Sequence, residues 1–333
     1  MNYKMTTLED ITLREFKAGK TSVERALLVI SGLETEEAIS SYHRKLDFIQ
    51  NDFERSCPER AGDYQTAKSL FDYLWETKPK RYNSDFLLAK VIDNQLDEDK
   101  DKTVGNCVGL TSLYSVLGVR LRLDLSVLAN NDHILTLLSC NNQEIAVENT
   151  GRYKFDFELK SRYKKADLIV LLASAFNSRG VVKYDLGDLD GALRDYNRTI
   201  EFGPDYASAF NNRGIVKYDL SDLDGALRDY NQAIELKPDY VSAFYKRGIV
   251  KHDLSDFDGA LRDYNQAIEL KPDYASAFYN RGIVKYDLSD FEGALADYNR
   301  AIELKPDLVL AKQNKERLLD SRPKPWYKKI FKR

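Results

Sequence analysis

A chain of 333 residues is enough for about two domains of roughly 100–200 residues each. Its composition, 43% hydrophobic and 31% charged, excludes a disordered or collagenous polypeptide. Fifty Lys and Arg against 53 Asp and Glu leave a net charge of −3, so no positive field draws in nucleic acid and no nucleic-acid partner is expected. The longest apolar run, LIVLLASAF from Leu168 to Phe176, falls far short of the ~20 residues that span a bilayer. The start MNYKMTTLEDITLREF lacks an apolar signal core, and Cys57, Cys107 and Cys140 lack metal-ligand spacing. A cytoplasmic location, no metal and no other cofactor are the expectation.

Residues 1–167 contain no repeat and are expected to form one domain. TSVERALLVIS (21–31), ETEEAISSYHRKLDFIQNDFE (34–54), YQTAKSLFDYLWE (64–76) and DFLLAKVIDNQL (85–96) space their apolar residues as helices do. A charged loop follows, then CVGLTSLYSVLG (107–118), which predicts another helix. RLRLDLSVL (120–128) alternates strictly and predicts a strand; HILTLLS (133–139) and QEIAVEN (143–149) predict two more, joined at Asn141-Asn142. Helices followed by an antiparallel sheet make an α+β domain. The loop DEDKDKTVG begins like a calcium loop, but Lys102 stands where its glycine belongs and Val108 replaces the bidentate glutamate.

From Ala173 the sequence repeats. Pro204, Pro238, Pro272 and Pro306 stand 34 residues apart, as do Gly180, Gly214, Gly248 and Gly282, and Ala192, Ala226, Ala260 and Ala294. Four blocks result, 173–206, 207–240, 241–274 and 275–308, each with the pattern of a helix hairpin that the proline ends. Aromatics recur at Phe176, Phe210, Phe244 and Phe278 and at Tyr196, Tyr230, Tyr264 and Tyr298. These columns resemble the tetratricopeptide repeat, which implies an all-α solenoid over 168–320, closed by a capping helix in LVLAKQNKERLLDS. One column departs from that family: Arg179, Arg213, Arg247 and Arg281 precede the glycine, and Asp195, Asp229, Asp263 and Asp297 follow 16 residues later. Each Arg is expected to hold its own repeat's Asp in a structural bidentate pair. Where later repeats have KPDY, the first has LIVLL (Leu168–Leu172), which predicts an extended helix buried against the N-terminal domain.

The repeat resemblance implies a concave face that takes a protein or extended peptide. Asn177, Asn211, Tyr245 and Tyr279 would line it, with Tyr184, Tyr218, His252 and Tyr286 and the neighbouring Asp185, Asp219, Asp253 and Asp287. Aromatics, amides and Asp suit a basic peptide, and truncating Tyr218 and Tyr286 is expected to spare stability. The tail from Arg322 to Arg333 holds six basic residues and no acid, with Trp326, Tyr327, Ile330 and Phe331 able to share one helical face. Two turns are marginal as a helix, so a solvated tail is expected rather than membrane-surface contact.

In the N-terminal domain Cys107 opens a helix directly after Gly105-Asn106, His133 opens a strand, and Glu148 closes the next one. A helix N-terminus favours a thiolate and offers N–H groups to an oxyanion. Cys, His and acid in this order resemble the transglutaminase-like branch of the papain fold over about residues 65–150. That resemblance implies a Cys107 nucleophile, a His133 base and Glu148 as orienting acid, with Asn149 the alternative. Two positions depart from it: Ile134 follows the histidine in place of an aromatic, and the acid is Glu rather than Asp. The expected function is a repeat scaffold with a cysteine domain for amide hydrolysis or acyl transfer. The alternative is an adaptor whose cysteine site has decayed.

Overall fold

Helix starts in the first part of the chain are written in its capping residues. Thr7 accepts from the Asp10 N–H, Ser22 from Arg25, Thr35 from Ala38, and Asn106 from both Val108 and Gly109. In the computed structural model these caps open α1 (Leu8–Lys17), α2 (Val23–Ile30), α3 (Glu36–Ser56) and α6 (Cys107–Arg120). Helices α4 (Gly62–Thr77) and α5 (Leu88–Leu96) lie between them. The structure describes residues 7–58, 62–79, 84–99, 103–129, 133–150, 155 and 163–320. The basic tail and positions 100–102 of the charged loop therefore lie outside the described residues. Helix α1 was not among the expected helices; its signal is the Thr7-x-x-Asp10 box, in which the Thr7 hydroxyl accepts from the Asp10 N–H and donates to the Asp10 carboxylate.

Strand β1 (Leu125–Ala129) starts five residues later than RLRLDLSVL predicts. Helix α6 runs on through Arg120, and Arg122 takes the left-handed conformation with φ 64°. The Leu123 N–H then bonds the Gly118 carbonyl at 3.0 Å. The alternation of RLRLDL is thus a helix C-terminus with its apolar wrap-around contact, not a strand. Strands β2 (Ile134–Cys140) and β3 (Gln143–Val147) pair antiparallel, Cys140 opposite Gln143. Asn141 and Asn142 turn the hairpin with φ 50° and 61°. A short β4 (Lys164–Ala166) adds to β1, giving the order β3-β2-β1-β4. Three residues carry too little pattern to have been read as a strand.

Helix α6 is apolar nearly all round, and Val108 to Gly118 are all buried. It packs on β2 and β1, with α4, α5, α2 and α7 around it. Helix α7 (Ile169–Asp185) is 17 residues long, against 13 for the corresponding helix of the next repeat, and Leu171 and Leu172 in its added turn are buried. It packs against α2 and α6, and its hairpin partner is α8 (Leu189–Phe202). Arg198 of α8 pairs with Asp10 of α1, and the rings of Phe16 and Phe202 meet edge to face. The chain divides into two compact units, Met1–Pro204 and Asp205–Arg333, so this first helix pair belongs with the N-terminal part.

The second unit contains α9 (Ala207–Asp219), α10 (Leu223–Leu236), α11 (Val241–Asp253), α12 (Phe257–Leu270), α13 (Ala275–Asp287), α14 (Phe291–Leu304) and α15 (Val309–Asp320). Helix hairpins stack in sequence as a solenoid, and α15 covers the last pair. The glycine column is steric. A Cβ on Gly248 would lie 2.8 Å from the Tyr264 ring, and a Cβ on Gly282 2.7 Å from that of Tyr298. The expected Arg–Asp forks are present in all four repeats. In the third, Arg247 Nε and Nη2 donate to Asp263 at 2.8 and 2.6 Å, and Lys251 adds a contact at 2.9 Å.

Breaking one fork leaves a buried carboxylate short of its partner. Arg247→Met is expected to lower stability by about 3 kcal/mol. Arg247→Met combined with Asp263→Leu and Lys251→Met should recover most of that loss, because none of the three charges of the cluster remains. Urea unfolding of the full chain measures both; a triple variant as unstable as the single one contradicts the assignment.

Candidate active site

The loop before α6 is held on three sides. Asn94 Nδ2 donates to the Val104 carbonyl at 3.0 Å and to Asp85 Oδ2 at 2.7 Å. The Asn106 N–H bonds the Asp85 carbonyl at 2.7 Å. Gly105 and Gly109 lie flush against the 85–91 segment, where a Cβ on either would sit 2.9 Å from the Asp85 carbonyl oxygen. This fixes Cys107 as the first residue of α6, partly exposed and free of any disulfide.

His133 immediately precedes β2, half-buried. Its Nε2 bonds Glu148 Oε2, and the Cys107 thiol lies near enough to act on the ring. The Tyr163 ring stands edge-on at 6.5 Å. Cys107 first and Glu148 second raise the imidazole from 6.5 to about 10, against the opposing effect of burial. Glu148, 5% exposed, follows β3 and also accepts from Thr150, N–H at 3.1 Å and hydroxyl at 2.6 Å. Burial pushes its carboxyl upward, but the bonds from His133 and Thr150 outweigh that and hold it below the usual range. The three residues singled out in sequence therefore meet around one imidazole.

Asn149 points elsewhere. Its Nδ2 donates to Thr136 Oγ1 at 3.0 Å and Thr111 Oγ1 at 3.4 Å, inside the core. Thr111 and Thr136 were not read from the sequence, because a buried threonine in an apolar run looks like packing.

The residues expected to line a repeat groove are already laced to the next repeat. Tyr218 donates to Asp253 at 2.7 Å, and His252 Nε2 meets Asp287 Oδ2 at 2.7 Å. Asn280 and Asn314 donate to the hydroxyls of Tyr245 and Tyr279 at 3.0 and 3.1 Å. Asn211 is buried, bonded to Asn212 and Ser242, and so offers little surface to a ligand. Tyr218 and Tyr286 pack on the apolar clusters around Tyr230 and Tyr298, so their truncation will cost stability, contrary to the expectation from sequence. Asn177 and Tyr184 are half-buried on α7, and Asp219 and Asp253 are exposed at helix ends. Asn280 and Asn314 were missed; their signal is the 35-residue offset from the tyrosine each one meets, one more than the period.

Family models described as TPR repeat match residues 180–221, 216–255 and 250–289, and one described as tetratricopeptide repeat matches 275–308. Residues 180–308 are tetratricopeptide repeats. Among solved structures, MamA is 24% identical over 43% of this chain and 83% of its own, with a TM-score of 0.40. MamA from Desulfovibrio magneticus RS-1 is 19% identical over 45% and 84%, with a TM-score of 0.42. YrrB, described as a TPR protein with an unusual peptide-binding site, is 26% identical over 43% and 74%, with a TM-score of 0.40. A search of curated proteins gives no match. Among the described residues, no helix is long and apolar enough to cross a membrane, and no group of three His, Cys, Asp or Glu side chains could hold a metal ion.

A His with a raised pKa adds stability that is complete below about 6.5 and is lost as pH rises through about 10. Because Cys107 is the largest raising influence, Cys107→Ala should bring the His133 midpoint clearly below that of the unaltered chain. Ring-proton NMR across pH 5–11, a range on the order of six units around the two values, reads the shift. An unchanged midpoint means that the thiol does not act on the ring.

Proposed function

We propose that the N-terminal part is a cysteine-dependent acyl-transfer domain of the transglutaminase-like kind, carried on repeats that hold its protein partner. The observation that carries the reading is the His133 ring, hydrogen-bonded to Glu148 and standing beside the Cys107 thiol at the start of α6. Glu148 engages Nε2, and the ring serves the neighbouring sulfur. Cys107 Sγ attacks an amide carbonyl carbon as thiolate, forming the C–S bond of a tetrahedral intermediate. The Cys107 backbone N–H at the helix start donates to the oxyanion. As the C–N bond breaks, His133 gives its proton to the departing amine, and a thioester remains. Water or a lysine amine then attacks that thioester, His133 takes a proton from it, and the sulfur leaves. Glu148 fixes the ring orientation and stabilises the imidazolium throughout.

Iodoacetamide tests the nucleophile. At pH 6 it should label Cys107 in the full chain, while Cys57 and the buried Cys140 stay unmodified and Cys107→Ala takes up no label. No reaction at Cys107 at that pH removes the acyl-transfer reading and leaves a non-catalytic adaptor.

For the repeats, the exposed Asp219, Asp253 and Asp287, each beside the aromatic or histidine of its helix, support a basic extended peptide as partner. A lysine- and arginine-rich peptide of about ten residues should bind the full chain and weaken as salt rises. Asp219→Asn, Asp253→Asn and Asp287→Asn together should remove that binding. Salt-independent binding, or binding that survives the triple change, contradicts the assignment.

A further inference from the structure

A stripe of polar side chains runs through the otherwise apolar centre of the first unit. Cys107, Thr111 and Ser115 are spaced four apart on α6 and so share one helix face. The Thr111 hydroxyl donates to the Ile134 carbonyl at 3.2 Å, in the residue directly after His133. Asn149, directly after Glu148, donates to Thr111 Oγ1 at 3.4 Å and to Thr136 Oγ1 at 3.0 Å. Thr136 Oγ1 in turn lies 3.3 Å from Ser115 Oγ. Thr111, Ser115, Thr136 and Asn149 are all buried.

Each of the three reacting or orienting residues thus has a member of this network as its chain neighbour or one turn away. Cys107 has Thr111, His133 has the Ile134 carbonyl, and Glu148 has Asn149. The carboxamide and the Thr111 hydroxyl form a relay, Asn149 N–H to Thr111 O–H to the Ile134 carbonyl, that ties helix, strand β2 and the end of β3 at one point. An apolar stripe would fill the same space without fixing how far α6 slides along β2. Directional bonds fix that register, and a reacting constellation tolerates only about 0.5 Å of error.

We infer that Thr111 and Asn149 are positioning residues, a buried clamp that holds Cys107, His133 and Glu148 in mutual register. The inference rests on the acyl-transfer reading for its purpose, though not for its geometry. Among the described residues, the charged and titratable groups recorded against His133 are Cys107 from α6, Glu148 after β3 and the Tyr163 ring before β4. None of these belongs to the clamp, so a clamp variant alters His133 only by moving its neighbours.

The test compares Thr111→Val, which keeps the shape and loses the hydroxyl, with Thr111→Ser, which keeps the hydroxyl. In the full chain Thr111→Val should lower the His133 NMR midpoint by about one unit. It should also slow Cys107 alkylation by iodoacetamide at pH 6 by about tenfold or more. Melting should stay cooperative, and Thr111→Ser should return both readouts to the level of the unaltered chain. A Thr111→Val midpoint equal to that of the unaltered chain overturns the clamp, as does a Thr111→Ser as displaced as the valine. If Thr111→Val does not fold, Thr136→Val removes the adjoining contact and is judged by the same midpoint. If the unaltered chain resists iodoacetamide, acyl transfer falls, while the midpoint still decides whether the clamp sets the His133–Glu148 pair.

Discussion

A carboxylate taken out of water must be paired on every side, because an unpaired buried charge costs more than most folds can bear. Five are buried among the described residues: Asp195, Asp229, Asp263, Asp297 and Glu148. The four aspartates sit one per repeat, and each meets an Arg fork and a Lys. A bidentate guanidinium and an ammonium on one carboxylate make these pairs fixed and structural. Glu148 is paired with an imidazole, a hydroxyl and a backbone N–H. Of these partners, only the imidazole can release a proton during a reaction. One constraint therefore has two outcomes: permanence in the repeats, and an acid–base pair beside a thiol in the N-terminal part.

The site inherits its accuracy from the core beneath it. Helix α6 is buried along its whole middle, so its axis is set by packing from strands on one side and helices around the rest. Its start is set separately, by Asn106 capping two N–H groups and by two glycines pressed against the 85–91 segment. Cys107 is the residue where these two determinations meet. A side chain there needs no strain to face the first residues of β2, since α6 and β2 are in direct contact.

Legibility in the sequence followed the range of the interaction. The 34-residue period, the proline stops and the Arg–Asp columns are local or repeat-wise, and they could be read to the residue. Cys107, His133 and Glu148 were legible because element starts and ends mark them: a glycine-asparagine cap, and the two ends of a hairpin turned at Asn141-Asn142. The alternation in RLRLDL misled because a left-handed residue at Arg122 lets two leucines wrap a helix end with the spacing of a strand. Thr111 and Thr136 were not legible, since only the fold brings them to Asn149. The inter-repeat bonds were hidden for a simpler reason: donor and acceptor lie 35 residues apart, one off the period that drew attention.

The first repeat shows how a periodic structure joins a non-periodic one. Arg247 and Arg281 each spend their remaining nitrogen on an Asn of the preceding helix, Asn231 and Asn265, at 2.7 and 2.6 Å. Arg179 begins the series and has no earlier repeat to supply that Asn. Its Nη1 instead bonds Glu9 of α1 and the Ile30 carbonyl at the end of α2, both at 2.9 Å. The N-terminal hairpin thus meets the same valence that a repeat would have met, with a charge in place of an amide. A full charge suits this position, because the Arg179 guanidinium is shielded from water and Glu9 adds a second counter-ion to Asp195. The buried turn of α7 then supplies apolar surface to α2 and α6. The electrostatic and apolar halves of the junction act on the same helix, which is why the first repeat belongs to the unit that carries Cys107.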